Sequence, residues 1–118
     1  VGITPLMSML RFLADTGDTR PVLLIYGNRT EEDIIFRDEL ASLPEHIRVV
    51  HILSSAGSEW DGPRGFVDET AIREHAGEML SETHVYVCGP PPMMASVIRS
   101  LRALGVKRGR IHYERFAI

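Results

Sequence analysis

Hydrophobic positions along the chain follow two alternating patterns. Short apolar runs occur at Pro21 to Tyr26, Ile47 to Leu53, His84 to Cys88 and Arg110 to Tyr113. They are rich in Val, Ile and Leu and do not alternate strictly with polar residues, as in strands of a parallel sheet covered on both faces. Between them, apolar residues recur at helical spacings of three and four. The first helical segment opens at Thr4-Pro5, with Thr4 as N-cap and Pro5 at the first helical position, and carries Leu6, Met9, Leu10 and Leu13 on one face. The second opens at Thr30, with Glu31, Glu32 and Asp33 in a capping-box-like first turn. It continues through Ile34, Ile35, Phe36, Leu40 and Leu43, and Pro44 closes it. Thr70 caps a third, weaker helix bearing Ile72, Ala76 and Met79. The fourth runs from about Pro92 to Leu104, with Met94, Val97, Ile98 and Leu101 in its stripe and Gly105 at the C′ position.

Helices and strands thus alternate, which implies right-handed βαβ crossovers and an open, mostly parallel, doubly wound α/β sheet. Ser54 to Gly65 is the one long irregular segment. A chain of this class begins with a strand that feeds a Gly-rich turn, whereas Val1 stands at the turn itself and no initiator Met precedes it. The expectation is a fragment or processed product whose first strand is truncated.

Composition narrows the chemistry. The 118 residues fit one domain, and 44% hydrophobic with 25% charged residues is an ordinary globular balance. A net charge of −3 argues against nucleic acid as a partner. The single cysteine, Cys88, excludes an internal disulfide and a cysteine-rich zinc site, and the five histidines show no metal spacing, so no metal is expected. No apolar run approaches a membrane span. Ser54-Ser55 has no evident base. His84 and Cys88 share a strand face about 13 Å apart, too far for a nucleophile–base pair.

What remains lies at the carboxyl edge of the strands, where open α/β sheets bind ligands. Val1-Gly2-Ile3-Thr4-Pro5 enters a helix N-terminus, whose amides, dipole and Thr4 hydroxyl suit a phosphate or pyrophosphate. Tyr26-Gly27-Asn28-Arg29-Thr30 ends a strand with a glycine, which lets a ligand approach the backbone, followed by two donors. In Cys88-Gly89-Pro90-Pro91-Pro92-Met93-Met94 three prolines fix a rigid ledge between a buried strand and a helix.

Taken together, these segments resemble the NAD(P)-binding domain of the ferredoxin–NADP reductase superfamily. Val1 to Pro5 is similar to the end of the family's Gly-Gly-x-Gly-Ile-Thr-Pro motif. Tyr26 to Thr30, with Asp33-Ile34 and Phe36-Arg37-Asp38-Glu39-Leu40, is similar to its second strand and helix. Trp60-x-Gly62 before Gly65-Phe66-Val67 resembles the loop after the third strand. Val85 to Met94 is the most specific match, and Ile111 to Phe116 resembles the last strand and tail.

The resemblance implies a sheet of order 3-2-1-4-5, residues 1–118 forming an N-terminally truncated NAD(P)-binding domain, and a flavin-binding domain that is absent from the chain. Gly2 and Thr4, with Ile3 and Pro5 around them, would meet the pyrophosphate. Gly27, Asn28 and Arg29 would lie towards the ribose and adenine, as would Ser54 and Ser55 after the next strand. Cys88, Gly89 and Pro90 would line the nicotinamide pocket, with Cys88 next to the hydride transfer, and Pro91 after them would also contact the cofactor. Met93 would pack near the adenosine end, and Phe116 over the flavin ring. Ser54-Ser55-Ala56-Gly57-Ser58-Glu59 carries a negative charge and no Arg, which favours NADH over NADPH, although Arg29 is placed to reach a 2′-phosphate.

The implied parent is a flavin-dependent NAD(P)H oxidoreductase. It passes hydride to FAD or FMN and electrons to a ferredoxin, another iron–sulfur protein, haem or ferric iron, on the cytoplasmic side. The isolated chain would be inactive. Without its first strand it would leave a gap between the strands at Pro21–Tyr26 and His84–Cys88, closed by direct pairing or by a partner chain in an oligomer. The alternative is a nucleotide-sensing regulatory module without turnover.

Overall fold

The computed structural model describes residues 3–113. Helices and parallel strands alternate through them: α1 (Ile3–Asp15), β1 (Val22–Asn28), a 3-10 turn (Glu31–Asp33), α2 (Arg37–Ala41), β2 (Ile47–Leu53), α3 (Glu69–Ala76), β3 (Val85–Val87), α4 (Pro91–Ala103), a 3-10 turn (Arg108–Arg110) and β4 (Ile111–Tyr113). All four expected strands form. Among the described residues they make two parallel pairs, β1 with β2 and β3 with β4. Backbone contacts divide the chain into two compact units, Met9–Val67 and Val1–Ser8 with Asp68–Ile118.

In the unit Met9–Val67, β1 and β2 pair along their whole length, from Val22 opposite Ile47 to Asn28 opposite Leu53. Leu24, Leu40, Ile47, Ile52 and Leu53 are buried there, while Leu23, Ile25, Val49 and Val50 are only half-buried. Burial along these strands is therefore incomplete, and among the described residues each is hydrogen-bonded to one neighbouring strand.

The second helix is not continuous. The Asp33 carboxylate accepts from the Thr30 amide at 3.1 Å and hydroxyl at 2.9 Å, as the capping pattern suggests, but only one 3-10 turn follows. Ile34 is extended, the Ile35 amide donates to the Tyr26 hydroxyl oxygen at 3.2 Å, and Phe36 takes the left-handed conformation (φ 64°). A tertiary acceptor has replaced the helical one, and α2 restarts at Arg37. The Arg11 guanidinium holds Glu39 through two bonds of 2.7 Å and lies 5.1 Å over the Phe36 ring.

The other unit packs α3 and α4 with the β3–β4 pair. Met94, Val97 and Leu101 of α4 are buried at the expected helical spacing, and Gly105 (φ 93°) ends the helix as a left-handed C′ residue. Two helix starts differ from expectation. Thr4 lies inside the first turn of α1, not at its cap, and Pro5 is tolerated there because first-turn amides have no intrahelical acceptor. The buried residues of α1 are Ile3, Met7 and Leu10, whereas Met9 is exposed. Asp68, not Thr70, caps α3, its carboxylate accepting from the Ala71 amide at 2.9 Å. Asp68→Ala is expected to lower stability by about 1 kcal/mol in urea denaturation, and Thr70→Ala by much less.

No helix of the described residues is long and apolar enough to cross a membrane.

Candidate nucleotide-binding site

Two stretches of the unit containing α4 carry site residues. After β3 the chain passes half-buried Cys88 and reaches Gly89, whose φ of 154° is a conformation that L side chains rarely adopt. Pro90 is the N-cap of α4, and Pro91 and Pro92 fill its first two positions. Three successive residues therefore offer no amide proton. Met93 supplies the helix's first N–H, since that of Met94 already donates to the Pro90 carbonyl at 3.0 Å. This is a poor phosphate cradle and a good rigid, apolar ledge. The Met93 side chain folds onto Gly89, where a Cβ would stand 2.0 Å from Met93 Cε. Met93 thus belongs with the ledge among the described residues.

The first turn of α1 is the other stretch. Ile3 is buried and can offer a ligand only its backbone, whereas Thr4 is exposed. Neither α1 nor α4 has an acid in its first turn, while α2 and α3 both do. A carboxylate there would satisfy the helix dipole and repel a phosphate; its absence leaves the amides of α1 open to an anion. Gly2 and Phe116 lie outside the described residues.

In the unit Met9–Val67, strand pairing continues past β1 and β2. The Ser54 amide donates to the Asn28 carbonyl at 3.0 Å and the Ser55 amide to the Arg29 carbonyl at 2.8 Å. Two dipeptides of site residues, 25 or more positions apart in sequence, are thereby brought together. Asn28 Nδ2 is buried with no hydrogen-bond partner among the described residues, and Arg29 is exposed. Gly27 is exposed, and a Cβ there would press to 3.0 Å from Val67 Cγ2, so the glycine also makes room for the protein's own packing.

The irregular segment after β2 is a closed loop. Its ends meet at Leu53, which donates to the Pro63 carbonyl and accepts from the Gly65 amide. Inside it, the Arg64 guanidinium donates to the carbonyls of Ala56, Gly57 and Trp60, and the Trp60 indole to that of Pro63 at 2.9 Å.

Sequence spacing missed a histidine pair. His84 Nδ1 lies 2.8 Å from His112 Nε2, and the Tyr86 ring stacks on His112 at 4.8 Å. The signal was the register: once Val85 pairs with Ile111, the neighbouring Tyr86 and His112 are opposite each other. No group of three metal-ligating side chains forms among the described residues. Beneath Tyr26, His51 is held below its ordinary imidazole pKa by burial, with Arg37 adding a smaller charge repulsion.

Residues 1–99 match the family model described as the oxidoreductase NAD-binding domain. The chain belongs to that family. This NAD-binding domain is 40% identical over 119 residues to the nitrate reductase [NADPH] of Emericella nidulans, an alignment covering 95% of the domain and 14% of that protein. It is 40% identical over 123 residues to ferredoxin–NADP reductase B of Sorangium cellulosum, covering 98% of the domain and 50% of the relative. Among solved structures it is similar to the CS-b5R domains of human Ncb5or in the NAD+ form, at 32% identity and a TM-score of 0.85, covering 95% of the domain and 33% of that chain. The NAD-binding domain therefore spans half or less of each of these proteins.

Proposed function

We propose that this chain is the pyridine-nucleotide-binding part of a flavin-dependent NAD(P)H oxidoreductase, which positions the nicotinamide for hydride transfer to FAD or FMN. Membership of the oxidoreductase NAD-binding family carries the proposal. The local chemistry fits the ligand. The acid-free start of α1, with Thr4 in its first turn, suits the pyrophosphate, and Gly2 is assigned there on resemblance alone. The orphaned Asn28 amide offers a buried donor towards the ribose, a group that is costly to leave unpaired. Ser54 and Ser55 lie beside it through their amides. The amide-poor run from Gly89 to Pro91 suits an uncharged ring, with Cys88 at its entrance and Met93 across it.

The bound cofactors supply the hydride chemistry, and the residues of this chain bind and orient. No side-chain acid or base is needed. Phe116 is assigned to the flavin face on resemblance alone. The order 3-2-1-4-5 is supported by the pairing pattern: β1 lies beside β2 and β3 beside β4, as its neighbours 2 and 3, and 4 and 5, would. The proposed acceptor is an iron–sulfur, haem or ferric centre, in line with relatives named as nitrate, cytochrome b5 and ferredoxin–NADP reductases. The proposed location is the cytoplasmic side.

The test is an anaerobic absorption spectrum of the full-length parent, mixed with NADH and then with NADPH. Bleaching of a flavin band is expected. Nucleotide binding without bleaching would make the domain a sensing module. We propose NADH as the preferred coenzyme, with Arg29 as the residue that admits a 2′-phosphate. Arg29→Ala should then raise the KM for NADPH about tenfold and leave that for NADH within twofold; equal effects on both would show that Arg29 does not discriminate.

A further inference from the structure

Residues 83–113 contain Arg99, Arg102, Lys107, Arg108 and Arg110 and no Asp or Glu. This stretch carries a formal +5 in a chain of net −3, which leaves −8 for the rest. Arg110 is spent internally, donating to the Leu80 carbonyl at 2.6 Å and the Thr83 carbonyl at 2.7 Å. The other four are exposed and have no ion-pair partner among the described residues. Arg102 lies in the last turn of α4, where a cation complements the helix dipole, but that role calls for neither Arg108 nor the missing acids.

A cavity of about 230 Å³ opens among these charges, lined by Ile98 and Arg102 of α4, Arg108 of the second 3-10 turn, and Ile111 and Tyr113 of β4. Two isoleucines form an apolar lining, the Tyr113 ring is 46% exposed, and two guanidinium groups supply donors. Arg102 follows Pro91 by eleven residues, so the cavity lies about 16 Å along α4 from the proline ledge.

We propose that this cavity is a second binding site, for a small organic phosphate with a flat apolar body, separate from the dinucleotide site. Two guanidinium forks match a tetrahedral dianion in charge and in paired-oxygen geometry better than ammonium groups would. The isoleucines and the tyrosine ring then take up the apolar part, which gives the site discrimination against bare phosphate.

The test uses phenyl phosphate as probe on the full-length parent protein with NAD+ saturating, read by ligand-observed NMR. Saturable binding is expected, with inorganic phosphate at least about tenfold weaker. The Arg102→Ala/Arg108→Ala variant should weaken the probe at least about tenfold, and Arg108→Lys several-fold, because the charge stays and the fork is lost. NADH turnover with an artificial acceptor should be unchanged in Arg108→Lys, which also covers the case where the double variant does not fold. Four results would each overturn the proposal: no saturable binding, equal affinity for inorganic phosphate, displacement of the probe by NAD+, or affinity unchanged in the Arg108→Lys variant.

Discussion

Gly89→Ala is expected to lower the kcat/KM of the parent enzyme for its pyridine nucleotide about 100-fold, the scale of a misplacement of about 1 Å at a reacting centre. The cause is local. At φ 154° an alanine is strained by about 1–3 kcal/mol, and its Cβ would fall 2.0 Å from Met93 Cε. Met93 is flexible and can swing away, so the steric part is relievable while the backbone part is not. The two parts separate in a Gly89→Ala/Met93→Ala variant followed by stopped-flow flavin reduction. Persistent loss identifies the backbone turn between Cys88 and Pro90 as the cause, and recovery identifies the clash. A Gly89→Ala enzyme within twofold of wild type would remove Gly89 from the site.

Arg110→Ala is expected to have the largest effect on stability. Its guanidinium satisfies two carbonyls, of Leu80 and Thr83, in the part-buried connection between α3 and β3. Truncation leaves both acceptors unpaired, and part-burial puts each at about 1–2 kcal/mol, so a loss of about 2–4 kcal/mol in urea denaturation is expected with an unchanged m value. Arg110→Lys should recover part of it, because an ammonium is a single point donor with poorer reach to two carbonyls. A loss below about 0.5 kcal/mol would mean that water replaces the guanidinium.

Gly89 and Arg110 show where the sequence was and was not legible. Runs of Val and Ile at Ile47 to Leu53, and the three-and-four spacing of Met94, Val97 and Leu101, each imply one local structure, and the structure has it. The helix after Thr30 failed because a partner distant in sequence decided it. Nothing near Ile35 announces that the Tyr26 hydroxyl will take its amide, nor that Phe36 will turn left-handed beneath Arg11. Nothing in the sequence around Arg64 and Arg110 announces that each donates to loop carbonyls. Along the ledge, the turn at Gly89 and the helix start at Pro90 to Pro92 were legible because these residues constrain their own backbone. The joining of Asn28 and Arg29 to Ser54 and Ser55 depended on the β1–β2 register, which no spacing within either segment contains.

The three prolines at the start of α4 have an effect that begins before folding. Each restricts φ in the unfolded chain as well as in the folded one, so little conformational freedom is left for that segment to lose. A ring that settles on such a surface meets a backbone already in its final shape. The affinity gained there is then set against the ligand's own loss of motion, with little owed to the protein's.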